Sequence, residues 1–234
     1  NNETTAVLGS VTASGATGTN AATYTNTVTG TDSNYNLTLV NGSLVIGKAG
    51  LVVTADNKTR IYGDANPALT YTVTGYVNGE GASTHSGSAT LATTAGLTSN
   101  VGNVAITAAA NNLTSSNYSF SYANGTMAIT PAALTVTGAN TSVTYTGLAQ
   151  TNGVATVSGL KNSDSFTVAG YGTGTNYSAS AYADTLAATP VTGTLATNYS
   201  ISYNNGGLSI GKANATITGN SSSVTYTGLA QSVS

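Results

Sequence analysis

The chain spells one fourteen-residue pattern three times: "NYNLTLVNGSLVIG" at residues 34–47, "NYSFSYANGTMAIT" at 117–130 and "NYSISYNNGGLSIG" at 198–211. The Asn-Tyr pairs begin at Asn34, Asn117 and Asn198, at intervals of 83 and then 81 residues. A second marker, Tyr62, Tyr145 and Tyr226, keeps the same two intervals and lies 27 residues after each Asn-Tyr tyrosine. Two markers in one register define an internal repeat, and a period this long describes a self-contained module. A β-helical filament, with roughly 20 residues per coil, does not fit it. The repeat divides the chain into the C-terminal part of a module (1–47), two complete modules (48–130 and 131–211) and the N-terminal part of another (212–234).

Inside the pattern the bulky residues alternate. Tyr118, Phe120 and Tyr122 interleave with Ser119 and Ser121, a period of two that places one set on a buried face and the other in water. Met127 and Ile129 continue the buried set, as do Leu44 and Ile46, and Leu208 and Ile210, in the other copies. Between the halves stand Asn41-Gly42, Asn124-Gly125 and Asn205-Gly206. Asn-Gly is the favoured pair for the two positive-φ positions of a tight turn, so each module is expected to close with a β-hairpin. By this phase Tyr35, Tyr118, Tyr122, Tyr199 and Tyr203 are core residues. The module 48–130 is expected to hold seven short strands, near 51–55, 59–62, 69–76, 88–93, 103–109, 118–122 and 126–130. A short helical turn fits "VNGEGAST" (77–84) and "GLKNSDSF" (159–166).

The expected architecture is mainly β, a tandem array of about 80-residue immunoglobulin-like sandwich modules; β-grasp-like modules with one short helix are the alternative. The joints Gly47-Lys48-Ala49, Thr130-Pro131-Ala132 and Gly211-Lys212-Ala213 leave no room for a flexible tether. New alternating strands follow them, with Leu51 and Val53, Leu134 and Val136, and Ala215 and Ile217 on the buried phase. Modules in line, and hence a monomeric rod, are the expectation.

Composition agrees. Threonine supplies 44 of the 234 residues, and a β-branched hydroxyl side chain suits a strand face that meets water. Only 5 % of the residues are charged and the net charge is −2, with five basic residues, which excludes the counterion-releasing contacts of a nucleic-acid binder. No apolar run reaches the roughly 18 residues of a membrane helix, so no membrane insertion by this segment is expected. The start Asn1-Asn2-Glu3 carries neither an initiator Met nor a signal peptide and reads as an excerpt of a longer chain. The absence of cysteine suits either the cytosol or a chain exported unfolded.

The stretch "NGSLVIGKAGLVVTADNKTRIYGDANPALTYTVTGYVNGE" (41–80), with "GSATLATTAG" after it and "NGTMAIT" at 124–130, resembles the bacterial MBG repeat, the mostly bacterial Ig-like module. Its Tyr-Gly-Asp…Asn-Pro signature falls on Tyr62, Gly63, Asp64, Asn66 and Pro67. "VTYTGLAQ" at 143–150 and 224–231 is closer to a sister YDG-type repeat. The resemblance implies the repeat region of a large adhesin of the filamentous-haemagglutinin, two-partner-secretion kind, at the cell surface or in the medium. It implies a stalk that spaces an adhesive tip or scaffolds biofilm matrix, and it supplies no catalytic residues or cofactor.

The residues themselves point away from catalysis. His85, the sole histidine, lies between Thr84 and Ser86 and is expected in a solvated loop, without a nucleophile elbow beside it. The chain is therefore expected not to be an enzyme. Cys/His metal sites are excluded by count, and no Asp-x-Asp stands among the seven acids, so no metal or other cofactor is expected. Asp56 and Asp64 are the weak candidates for calcium. Three tyrosines in "AGYGTGTNYSASAYAD", namely Tyr171, Tyr177 and Tyr182, have the Gly/Ser/Thr setting of an exposed aromatic patch on which a sugar ring stacks. The partners to weigh are exopolysaccharide and other copies of the same adhesin.

Overall fold

The computed structural model describes residues 9–232, and they are mainly β. Residues 1–8 and 233–234 lie outside the described part. The chain divides into two compact units, one ending at Pro131 and one beginning at Ala132.

The first unit opens with β1 (Ser10–Ser14), β2 (Ala22–Thr31) and β3 (Gly42–Ile46), an antiparallel sheet in the order β1-β2-β3. A seven-stranded module follows: β4 (Ala49–Ala55), β5 (Lys58–Ile61), β6 (Tyr71–Thr74), β7 (Thr90–Thr93), β8 (Gly102–Ala109), β9 (Tyr118–Ala123) and β10 (Gly125–Thr130). All seven expected strands form, each within a few residues of its predicted bounds. A 3-10 turn at Ala82–Thr84 occupies the predicted helical position. One sheet runs β6-β4-β9 and the other β5-β10-β8-β7, and β4 packs on β8 and β10. The alternating residues Leu51, Val53, Ile106, Tyr118, Met127 and Ile129 meet between the sheets and are buried. Apolar burial of this kind stabilises by roughly 25 cal/mol per Å².

The hairpin expectation is overturned. β9 pairs in parallel with β4 (Ala49↔Tyr118, Leu51↔Phe120, Val53↔Tyr122), whereas β10 pairs in parallel with β5 and antiparallel with β8. Asn124-Gly125 is therefore a crossing from one sheet to the other, beside the β4–β5 crossing at Asp56-Asn57. Neither residue has a positive φ. Gly125 is required for a different reason: a Cβ there would stand 2.3 Å from the carbonyl oxygen of Ala55. The Asn124 Oδ1 accepts the N–H of Ala108, a backbone bond that the crossing strand does not supply (3.3 Å).

The second unit holds β11 (Ala132–Thr137), β12 (Asn140–Thr144), β13 (Gln150–Thr151), β14 (Thr156–Ser158), β15 (Phe166–Ala169), β16 (Thr173–Gly174), β17 (Tyr182–Ala183), β18 (Ala187–Pro190), β19 (Tyr199–Asn204) and β20 (Gly207–Gly211), in sheets ordered β14-β11-β19, β12-β20-β17, β13-β16 and β15-β18. β11 lies parallel to β19 and β12 parallel to β20, so the pattern 198–211 again splits between sheets. Gly206 approaches Ala139 as Gly125 approaches Ala55, and Asn205 Oδ1 accepts from Leu186 as Asn124 does from Ala108. The segment 159–166 forms a turn, Asp164 N–H to Lys161 carbonyl, in place of the expected helical turn.

Two further expectations fail. No strand forms at 34–41; Tyr35 is 41 % exposed there, and Tyr203 is as exposed at the end of β19. No strand forms at 213–227 either, where Ile217 is exposed. In the complete modules the corresponding strands pair across 69 residues (Ala49↔Tyr118) and 67 residues (Ala132↔Tyr199).

Candidate functional site

The three tyrosines singled out in the sequence do not act together. Tyr182 in β17 is half-buried, its ring lies on the backbone at Gly174, where a Cβ would stand 2.3 Å from it, and its hydroxyl donates to the carbonyl of Asn176 (3.1 Å). It braces the β16–β17 loop. Tyr171 is half-buried. Tyr177, at the tip of that loop, is exposed, and the Lys212 ammonium stands 4.9 Å from its ring centroid, within cation–π range.

Tyr177 instead faces a partner that the sequence marked only as a repeat position. Tyr145 follows β12 and its N–H donates to the Gly211 carbonyl at the end of β20 (2.9 Å). That bond sets Tyr145 beside Lys212. Tyr145, Asn176, Tyr177, Lys212 and Asn214 line an open cleft of about 490 Å³. Two aromatic faces, two side-chain amides and one ammonium are the groups that stack on a pyranose and hydrogen-bond its hydroxyls. The signal available in the sequence was the "VTYTGLAQ" tyrosine itself, 32 residues upstream of Tyr177.

His85 lies in a loop, as expected, but is half-buried there rather than solvated. Its ring stacks on Tyr76 (centroids 6.0 Å, planes 10° apart) and meets Phe120 edge-on at 5.8 Å. Its Nε2 is 2.7 Å from the Tyr76 hydroxyl, and its Nδ1 is buried without a hydrogen-bond partner. Burial pushes the Tyr76 phenol up. Glu80 is directed elsewhere: its Oε2 accepts from the Tyr118 hydroxyl (2.5 Å), which in turn accepts the Val77 N–H (3.1 Å). That carboxylate is the main reason the Tyr118 phenol is raised. The second unit repeats the device, with the Tyr199 hydroxyl donating to Asp164 (2.7 Å) and accepting the Lys161 N–H (2.9 Å). A core tyrosine thus pins the same loop in both units, although one acid sits in "VNGE" and the other in "KNSD".

The two units differ in one buried polar centre. Asp184, 2 % exposed, takes the position that Ile106 holds in the first unit. Burial pushes its carboxyl up, but the N–H of Gly172, the Asn152 amide and the N–H of Gly206 outweigh that and hold it below the usual carboxylate range. The first unit instead buries Arg60, whose guanidinium donates to the Asn66 side chain (2.7 Å) and to the carbonyls of Ile61 and Gly96. Asn66 in turn donates to the Ala95 carbonyl (2.6 Å), so the Asn of the Tyr-Gly-Asp…Asn-Pro signature is structural. Asp56 accepts from Thr70 and Thr72, and those hydroxyls hold it below its ordinary range.

These observations define a mainly β chain whose two units share two parallel pairings, β4–β9 with β11–β19 and β5–β10 with β12–β20. Residues 51–128 match the family model of the MBG domain, YGX type, so the β4–β10 module is similar to an MBG-type repeat. No curated protein and no solved structure matches the chain. Among the described residues no helix is long and apolar enough to cross a membrane.

Proposed function

We propose that the chain is part of the extracellular stalk of a large bacterial adhesin, a non-catalytic run of Ig-like modules that spaces an adhesive tip or scaffolds biofilm matrix. One observation carries this reading. The two complete units keep the same core phase, the same paired sheet crossings and the same tyrosine–carboxylate pin, while their outward Ser, Thr, Asn and Gly residues differ. A scaffold kept under a drifting surface is what length and stiffness require, whereas catalysis requires a kept set of surface groups. The reading places the parent at the cell surface, with export by two-partner secretion, and assigns the segment no cofactor. Solution scattering of the chain tests it: a rod supports the stalk, and a compact particle overturns it. Removing whole repeats from the parent should weaken adhesion gradually.

The Tyr145–Tyr177 cleft favours a second reading, in which a repeat itself holds exopolysaccharide. A glycan array followed by titration separates the two. Under the stalk reading affinity is no tighter than about millimolar. Saturable micromolar binding that is lost in Tyr145→Ala and Tyr177→Ala establishes the second.

A further inference from the structure

Asn-Gly occurs five times in the chain, beginning at Asn41, Asn78, Asn124, Asn152 and Asn205. We propose that Asn78-Gly79 alone is a site of self-modification: the chain cyclises there with loss of ammonia and reopens as aspartate or isoaspartate, and the isoaspartate form releases the loop that Tyr118 pins. This inference does not depend on the stalk reading.

The reaction needs only water. The Gly79 backbone nitrogen bonds to the Asn78 side-chain carbon Cγ, the Cγ–Nδ2 bond breaks, and ammonia leaves with the proton given up by that nitrogen. Water then opens the resulting cyclic imide at either carbonyl. Opening at Cγ gives aspartate on the original backbone. Opening at the main-chain carbonyl gives isoaspartate, whose backbone runs through Cβ and Cγ and is one carbon longer. Glycine is the best following residue because no Cβ shields its nitrogen.

By sequence the five pairs are equivalent, and the structure separates them. The Oδ1 atoms of Asn41, Asn124 and Asn205 accept the N–H groups of Val28 (3.0 Å), Ala108 (3.3 Å) and Leu186 (3.3 Å). Asn152 is 6 % exposed, and its Nδ2 donates to the Ala139 carbonyl (2.6 Å) and to Asp184 (2.9 Å). Two of the attacking nitrogens are also held, Gly153 N–H by the Thr141 hydroxyl (3.1 Å) and Gly206 N–H by Asp184 (3.0 Å). A side chain so held cannot turn onto the backbone nitrogen. Asn78 is exposed and its side chain makes no hydrogen bond among the described residues. It and Gly79 have φ of 54° and 73°, and the Glu80 N–H bonds the Val77 carbonyl (3.0 Å), a tight turn of the mirror-image type. A Cβ built at Gly79 would meet nothing within 4 Å, so that nitrogen is open to solvent chemistry on that side.

The turn carries both partners of the Tyr118 hydroxyl, the Val77 N–H (3.1 Å) and the Glu80 carboxylate (2.5 Å). One extra backbone carbon between them displaces one partner by about 1.5 Å, more than a hydrogen bond tolerates. The second unit supplies an internal comparison. Asn162 has the same positive φ (53°) in the loop that Tyr199 pins, but Ser163 follows it, and the serine Cβ crowds the attacking nitrogen.

Peptide mapping of the full chain after incubation at mildly alkaline pH, with fragmentation that separates isoaspartate from aspartate, tests this. Asn78 should convert at least about tenfold faster than Asn162 or any other Asn-Gly pair, since held pairs react only from locally opened forms and ~1.4 kcal/mol of opening is a factor of ten. In urea the five pairs should react at similar rates. An advantage of Asn78 that persists in urea, or faster conversion at another pair in the folded chain, would overturn the assignment. Tm should fall in step with the isoaspartate content. Asn78→Gly, which keeps the positive φ and removes the amide, should hold its Tm through the incubation. In Tyr118→Phe the conversion should bring little further loss, because the pin is already gone. A Tm indifferent to isoaspartate, or an equal fall in Tyr118→Phe, would overturn the release of the loop.

Discussion

Replacing Gly125 with alanine separates the two accounts of the Asn-Gly pair. If the pair were a hairpin turn, the cost would come from positive φ, but neither residue has one. The cost here is steric. The new Cβ would stand 2.3 Å from the Ala55 oxygen and 2.9 Å from its carbonyl carbon, and real Cβ contacts stop near 3.0 Å. The Ala55 carbonyl must therefore withdraw by at least the 0.7 Å between 2.3 and 3.0 Å. It sits at the end of β4, next to the Asp56 N–H that bonds the Thr70 carbonyl (2.9 Å). Overpacking of a tight contact costs about 1–3 kcal/mol, and a strained or lost backbone bond adds about 1 kcal/mol. The sum, roughly 2–4 kcal/mol, lowers Tm by roughly 8 °C or more in a module this small. Gly206→Ala should behave likewise, since its Cβ would fall 1.9 Å from the Ala139 oxygen. Gly50→Ala is the control: Gly50 lies in β4 with nothing within 4 Å of its Cβ direction, and alanine there should be neutral or slightly stabilising. Thermal and urea melts of the three variants decide the matter. A neutral Gly125→Ala, or a Gly50→Ala equally damaging, would refute the crossing as the reason for glycine.

Tyr118→Phe and Tyr199→Phe should each lower Tm clearly while leaving far-UV dichroism intact, because each leaves a carboxylate and a backbone N–H without their shared hydroxyl; a silent Tyr118→Phe would mean that the loop pin contributes nothing. Asp184 has a depressed folded-state pKa, so its contribution is complete above the ordinary carboxylate range and is lost as pH falls through the folded value. Melts between pH 6 and pH 2 should therefore show an acid-side loss of stability that is reduced in Asp184→Asn, and a pH profile unaltered by that change would contradict the assignment. His85→Phe should shift Tm by no more than a few degrees, since it keeps the aromatic stack and removes a buried nitrogen without a partner but also takes the Nε2 partner from the Tyr76 hydroxyl; a large destabilisation would show that the imidazole nitrogens have a role in the fold. Chelator should leave Tm unchanged, and a drop of more than a few degrees would mark a calcium site, with Asp56 the first position to change.

What the amino-acid order determined by itself is local. The 81- and 83-residue period, the seven strands of 48–130 and their inward phase all follow from alternation of period two, which each strand carries in its own residues. The "TYTGLAQ" turn is equally local, because the Gln–Thr bond forms both in the complete second unit and at 225–231, where no strand accompanies it. Alternation says which face of a strand is buried and nothing about which strand lies at its edge. Asn124-Gly125 satisfied the local rule for a hairpin, yet β9 and β10 belong to different sheets because their edges are taken by β4 and β5, more than 65 residues upstream. The packing of His85 was likewise invisible in sequence, since Phe120 meets its ring only once β9 has docked on β4. A parallel strand of this module is held by a partner far along the chain, and tertiary structure alone decides whether that partner is present.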